Sequence, residues 1–350
     1  MPRVVILGAG VMGTAFATPL SDNGMTVDLV GTHLDGDLVA AMQAGRIHPR
    51  LKAEIGANVT PLPVSELAAT LARPADLIVV GVSTPGIGWA IDRLTECATG
   101  EAPIMLLTKG IAETRDRVET LPEFVQRELA RRGVAHGPVG AVGGPCIAGE
   151  LAVRRQTSAI LGFTEQTLAA KWAAVLSTDY YHLAHTDDLT GLEICAALKN
   201  FYAIGVSVPS GRAPSQPAVN GAGLNNETAS LFNQAVTELA RIVAASGGNP
   251  STAYGLAGLG DLHVTTQAGR NSRLGRLLGE GLTYAQAMEG PLKGETVEGT
   301  LVAASLEAPL AAMAAAQALP ADQVPLANAI VAAVTCGDAL RVALENYHTA

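Results

Sequence analysis

Residues 3–13 read RVVILGAGVMG, and this stretch decides the fold. Residues 3–7 form a short β-branched run of the kind that makes a strand buried on both faces. Gly8, Gly10 and Gly13 follow with the spacing GxGxxG, and residues 12–23 continue with helical periodicity. In a strand, turn and helix of this order, Gly8 permits the turn, Gly10 lets backbone approach a pyrophosphate, and Gly13 lets helix and strand pack closely. Val11 and Met12 then open a helix whose N-terminus faces the phosphates. An ordinary glycine turn also satisfies the pattern, and so does an FAD site; its place at the start of an alternating chain favours a nicotinamide dinucleotide. One Arg and an apolar stretch imitate a signal peptide here, but three glycines would break a signal helix. The chain is therefore expected to stay in the cytoplasm.

Working outward, strand-like runs recur at 26–30 (TVDLV), 76–82 (DLIVVGV, ending at Ser83), 103–108 (PIMLLT, ending at Lys109) and 139–143 (VGAVG), with a helical stretch near 118–132. Apolar strands alternating with helical segments describe a parallel α/β sheet. From about residue 188 the texture changes to long helical repeats, as in LTGLEICAALKNFYAIGVSV. The fold class is therefore α/β, with a Rossmann-type parallel-sheet domain over 1–187 and an all-helical domain over 188–350. With 350 residues, each half is long enough for its own core. The stretch 209–225, rich in Pro, Gly, Ser and Asn, reads as an exposed connection. Net charge is −9 with no run of Lys and Arg, so a nucleic-acid surface is excluded and an anionic ligand needs a few placed groups. Four cysteines without a CxxC pair point to a reduced interior with no metal, and the stretch from Val4 to Leu20 is too glycine-broken for a membrane span.

The tip after the second strand reads Gly31-Thr32-His33-Leu34-Asp35. An acid there would hold ribose hydroxyls and a base the 2′-phosphate; neither stands in a clear position, so Thr32, His33 and Ser83 are cofactor candidates for either NAD or NADP. His33 could approach a phosphate and Asp35 could bend toward ribose. Lys199 lies inside the apolar ICAALKNFYAIG, where burial and a second lysine nearby would favour the free amine; a surface lysine on a helix rim fits the composition equally well. Arg270 and Asn271 follow GLGDLHVTT at a helix start, where backbone amides and a guanidinium could grip a phosphate. Read alone, the pair is better taken as a helix cap and a surface ion pair.

Seven segments, taken in order, resemble the NAD-dependent glycerol-3-phosphate dehydrogenase family: GAGVMGTAFA, LLTKGI, GPCIAGELA, EICAALKNFYAIG, GLAGLGDLHVTT, GRNSRLGRLLGEG and VEGT. The resemblance implies reversible hydride transfer between sn-glycerol 3-phosphate and dihydroxyacetone phosphate, with Lys199 as the proton-transferring base and Lys109 as a partner on the substrate and cofactor. It implies Asn200, Asp261 and Thr265 at the reacting end, and Arg270 and Asn271 on the phosphate, with Arg270 also closing over the cofactor. Glu298 falls near the nicotinamide ribose, and Gly144, Cys146 and Ala148 in the loop between sheet and cofactor, the first two toward substrate and Ala148 toward dinucleotide.

Several positions depart from the family's pattern. Cys146 stands for Ser or Asn, Gly269 for Ser, and Thr228 and Asn233 for two cations. Losing those cations leaves room for another phosphorylated polyol or a hydroxyacid, and a nicotinamide-binding regulatory protein with little turnover would share the fold. The segment GRIHPRL, with His48 and Arg50, reads as a shaped loop. The Ala-rich second half offers apolar helix surface for a homodimer.

Overall fold

In the computed structural model the described residues are 1–97, 100–216 and 223–347. They form two compact units, Met1–Lys109 with Leu121–Leu189, and Gly110–Thr120 with Thr190–Ala350.

The first unit begins with β1 (Arg3–Leu7), α1 (Val11–Asp22), β2 (Thr26–Val30), α2 (Gly36–Gly45) and a two-stranded ribbon, β3 (Ile47–His48) with β4 (Ala53–Glu54). It continues through β5 (Val59–Leu62), α3 (Leu67–Leu71), β6 (Leu77–Val80), α4 (Ile87–Cys97) and β7 (Ile104–Leu106). A second ribbon, β8 (Ile111–Ala112) with β9 (Glu119–Thr120), belongs to the other unit. Then come α5 (Leu121–Arg131), β10 (Val139–Gly143), α6 (Ala148–Ala152), β11 (Thr157–Gly162), α7 (Gln166–Leu176) and β12 (Tyr181–Thr186). Eight of these strands make one sheet in the order β12-β11-β10-β7-β6-β1-β2-β5.

Successive side chains of a strand point to opposite faces, and the central strands use this to build two cores. Val4 and Ile6 of β1, Val79 of β6 and Met105 of β7 join one apolar cluster with Phe16 of α1 and Trp172 of α7. Val5, Leu7, Val80 and Leu106 join the opposite one with Ile91 of α4 and Val125 of α5. Burial on both faces is why these strands read as continuous apolar runs.

Two features of the sheet differ from the sequence reading. The strands β5, β11 and β12 were not anticipated, and β11 pairs antiparallel to β10 with β12 parallel to β11, so this end runs against the rest. β12 is an edge strand whose residues YHLAHT are largely exposed, which removes the apolar signal. β5 carries Pro61, tolerated because it too is an edge and leaves one side unpaired. The segment Gly110–Thr120, read as part of the first domain, clusters with the second unit because β8 lies beside α14 (Glu298–Ala315).

The second unit is otherwise helical. It holds α8 (Leu189–Val206), α9 (Val208–Arg212), α10 (Asn225–Ala245), α11 (Asp261–Gln267), α12 (Arg270–Gly279), α13 (Tyr284–Glu289), α14 and α15 (Pro325–Thr335). Within Leu189–Ser215 an 18-residue window has mean hydropathy 1.2, enough by length and composition to cross a membrane, yet 94% of that window is buried within the fold, which makes it a core helix. The reading of 209–225 as a loop is corrected over its first part: Pro209 sits in the first turn of α9, where a missing N–H costs nothing, and a 3-10 turn covers Ala213–Ser215. Residues 217–222 lie outside the described residues. Helix α12 packs tightly on α8 because Gly275 has no Cβ; one added there would lie 2.1 Å from the Ile204 carbonyl oxygen.

Candidate active site

In the first unit the site is made at the C-terminal ends of β1, β2 and β6. Gly8 has φ 116°, and a Cβ on it would lie 2.8 Å from the Gly81 carbonyl oxygen. A Cβ on Gly13 would lie 2.1 Å from the Gly8 carbonyl oxygen, so turn and helix meet as the sequence demands. At Gly10, by contrast, a Cβ would meet nothing within 4 Å: the turn is open on the side where a ligand approaches. A pocket of about 160 Å³ follows from it, lined by Gly8, Gly10, Thr32, His33, Asp35 and Ser83 among others. Val11 and Met12 form the first turn of α1, whose unsatisfied amides face an anion naturally. The His33 ring lies 5.6 Å from that of Trp89, giving the pocket an aromatic wall. The open glycine turn, the amides that begin α1 and the adjoining pocket are features that suit a dinucleotide.

Lys109 stands three residues past the end of β7, and its Nζ donates to the Gly144 carbonyl over 3.0 Å. Gly144 has φ 100°, a conformation that suits glycine, and the half-buried Cys146 and Ala148 pack against the core beneath it. The loop is thus tied to the Lys109 amine. His48 is fully buried, with Nδ1 accepting from the amides of Arg50 and Leu51, so GRIHPRL shapes a turn. Burial holds its pKa below the ordinary histidine value.

In the second unit, four helices bring seven predicted residues together. Lys199 of α8 is only 8% exposed and forms an ion pair with Asp261, 1% exposed, at the start of α11. One turn on, Thr265 donates its hydroxyl to the Asp261 carbonyl at 2.7 Å. Beside Lys199, the Asn200 side-chain oxygen accepts from Asn271 Nδ2 at 3.0 Å, and Asn271 Oδ1 in turn accepts from the Gly299 amide at 2.8 Å. Arg270 pairs with Glu298, so the N-termini of α12 and α14 are joined by two separate contacts. A π-helical turn over Leu256–Gly260 leads into α11 and sets where Asp261 begins. The reading of Lys199 as a rim lysine is overturned by its burial. The partner brought to it here is a carboxylate, which favours the ammonium form.

Some contributors were missed. Gly299 of VEGT has a clear signal in hindsight, since a Cβ there would lie 2.5 Å from the Asn200 carbonyl oxygen. Trp89 and Gly81 carry no local signal, because their role depends on strands far apart in sequence. Thr228 and Asn233 line a separate groove of about 420 Å³ with Phe232, Tyr254 and His263, which Lys199, Asn200, Asp261 and Arg270 do not line. The departures at Thr228 and Asn233 thus lie on this groove. Gly269 has φ 111°, which a serine would adopt only with strain.

A glycine turn on a doubly covered sheet, together with a helical unit carrying a buried lysine–aspartate pair, defines the class as a dinucleotide-dependent oxidoreductase. Residues 3–169 match the N-terminus of the NAD-dependent glycerol-3-phosphate dehydrogenase family and residues 188–345 its C-terminus. The chain is 35% identical over 289 residues to the NADP(+)-dependent glycerol-3-phosphate dehydrogenase of Archaeoglobus fulgidus, covering 82% of each. It is 32% identical to the glycerol-3-phosphate dehydrogenase [NAD(P)+] of Methylobacterium radiotolerans, covering 95% of this chain and 92% of that one. The crystal structure of glycerol-3-phosphate dehydrogenase from Coxiella burnetii superposes with a TM-score of 0.78 at 25% identity over 98% of both chains. The chain belongs to the NAD-dependent glycerol-3-phosphate dehydrogenase family.

Proposed function

We propose that this chain interconverts sn-glycerol 3-phosphate and dihydroxyacetone phosphate, using NAD or NADP, with Lys199 as acid and base. The observation that carries the reading is the buried pairing of Lys199 with Asp261 beside Asn200, with Arg270 and Asn271 at the start of α12, whose Asn271 bonds Asn200. Residues 1–187 hold the dinucleotide through Gly8, Gly10, Val11, Met12 and Gly13, with Thr32, His33 and Ser83 toward adenosine; residues 188–350 hold the substrate. A bound nicotinamide supplies the hydride acceptor or donor at its C4. As ammonium, the form its pairing with Asp261 favours, Lys199 gives its proton to the C2 carbonyl oxygen during reduction, and as the free amine it takes a proton from the C2 hydroxyl during oxidation. The family resemblance also assigns Lys109, Gly144 and Cys146 to the substrate. Arg270 leaves Glu298 for the phosphate, helped by the first-turn amides of α12, and Asn271 keeps that turn in place. Glu298 is then available to ribose hydroxyls.

The test is to mix the protein with NADH or NADPH and dihydroxyacetone phosphate and follow loss of the reduced-nicotinamide absorbance. Absence of turnover with both cofactors, despite their binding, would leave the regulatory reading. Arg270→Ala is expected to raise KM for dihydroxyacetone phosphate roughly 10–100-fold, the worth of a charge-assisted hydrogen bond, with a much smaller change in kcat. Unchanged kinetics would remove Arg270 from the phosphate site. In the cell the reading gives a cytoplasmic homodimer that supplies the backbone of glycerophospholipids, and sedimentation of the purified protein checks the dimer.

A further inference from the structure

Asp35 immediately precedes α2, a position where aspartate ordinarily accepts from the helix's own first amides. It makes no such cap. Its Oδ2 instead accepts from the Thr32 amide at 2.8 Å and, 26 residues back in the chain, from the Ala9 amide at 3.2 Å. The Ala9 carbonyl accepts the Thr14 hydroxyl at 3.2 Å, so the residue between the first two glycines of the turn is held on both its polar groups. Gly31 lets this happen: a Cβ there would lie 3.2 Å from Asp35 Cβ and 2.7 Å from a Val39 methyl. Asp35 also lines the pocket with Gly8, Gly10 and Thr32.

We propose that Asp35 is a positioning residue for the dinucleotide: its carboxylate ties the glycine turn to the end of β2. With the Ala9 amide taken by Asp35, an incoming pyrophosphate is directed to the amides that open α1. The turn is thereby built before the cofactor arrives, and the ordering cost of binding falls. This inference rests on reading the pocket as a dinucleotide site.

The experiment compares wild type, Asp35→Ala and Asp35→Asn by the quenching of Trp89, which lines the same pocket, on titration with NADH and with NADPH. Asparagine keeps an oxygen for the two amides, whereas alanine keeps none. The expected result is Asp35→Ala binding both dinucleotides about tenfold more weakly, a tenth of the affinity corresponding to one lost hydrogen-bonded tie. The KM for cofactor should rise alike while kcat at saturation stays within about twofold, and Asp35→Asn should recover most of the loss. Amide hydrogen exchange of wild type without cofactor gives a second reading that needs no variant: the Ala9 amide should exchange more slowly than that of Gly10. Alanine binding like wild type, asparagine as weak as alanine, or a fast-exchanging Ala9 amide would overturn the proposal. Wild type that binds neither dinucleotide would instead overturn the reading of the pocket, and the exchange measurement would still judge the tie.

Discussion

Replacing Lys199 with alanine is expected to lower kcat by about 10²–10⁴-fold, the usual contribution of a positioned proton donor, while NADH still binds. The dinucleotide contacts proposed above lie on the glycine turn, beyond β2 and β6 and at Glu298, none of which is Lys199. Alanine, however, removes one partner of an ion pair in which Asp261 is only 1% exposed, and breaking a buried pair in this way costs roughly 3–5 kcal/mol. Loss of activity in that variant alone would therefore confuse chemistry with folding. Lys199→Arg separates them, because guanidinium keeps the positive charge beside Asp261 but does not release a proton near neutral pH. The arginine variant is expected to melt close to wild type and to remain as inactive as alanine. An arginine variant with more than about a tenth of wild-type kcat would exclude Lys199 as the proton carrier, since that loss is smaller than general acid catalysis normally supplies.

The residues that were legible in the sequence are those whose role is fixed by their own backbone or by near neighbours. Gly8 and Gly13 had to lack side chains wherever a strand turns sharply into a helix, and the structure puts carbonyl oxygens where their Cβ atoms would be. For Lys199 the apolar helix leaves a surface rim equally open, and it is the resemblance that places Lys199 and Asn200 at the reacting end. What could not be read depended on distant partners. Nothing in the sequence around Asp35 says that its carboxylate meets Ala9, and nothing in TSAILG says that β11 runs against β10. Strand direction is a property of pairing, and local composition does not encode it. For the same reason the sequence could not divide the work of Thr228 and Asn233 from that of the lysine cluster: their helix was known, but which of its faces met which neighbour was not.

A pH effect on stability follows from a residue that the reaction does not use. Glu238 of α10 is fully buried, and its carboxyl accepts from Gln234 at 2.7 Å, Tyr202 at 3.2 Å, and the Leu326 and Ala327 amides at the start of α15 at 2.8 Å each. Burial nevertheless raises its pKa to about 7 from an ordinary 4.5, against the opposing pull of these donors. The folded chain then holds a proton that the unfolded chain has already released, so stability must fall as pH rises between these values. Below 4.5 both states are protonated and the penalty vanishes; above 7 it is complete, at about 3 kcal/mol from a displacement of 2.5 units. Glu238→Gln has no proton to lose. Its amide nitrogen must face one of the α15 amides, so the variant is expected to start below wild type at pH 5 by roughly 1–3 kcal/mol, the cost of a mismatched buried donor. The informative quantity is the change in that difference. Urea unfolding followed by circular dichroism at pH 5, 6, 7 and 8 should show wild type losing its advantage over the variant as pH rises, most of it between pH 5 and 7. A difference between the two proteins that stays constant across this range would mean that Glu238 is ionised throughout, and that the four donors outweigh its burial.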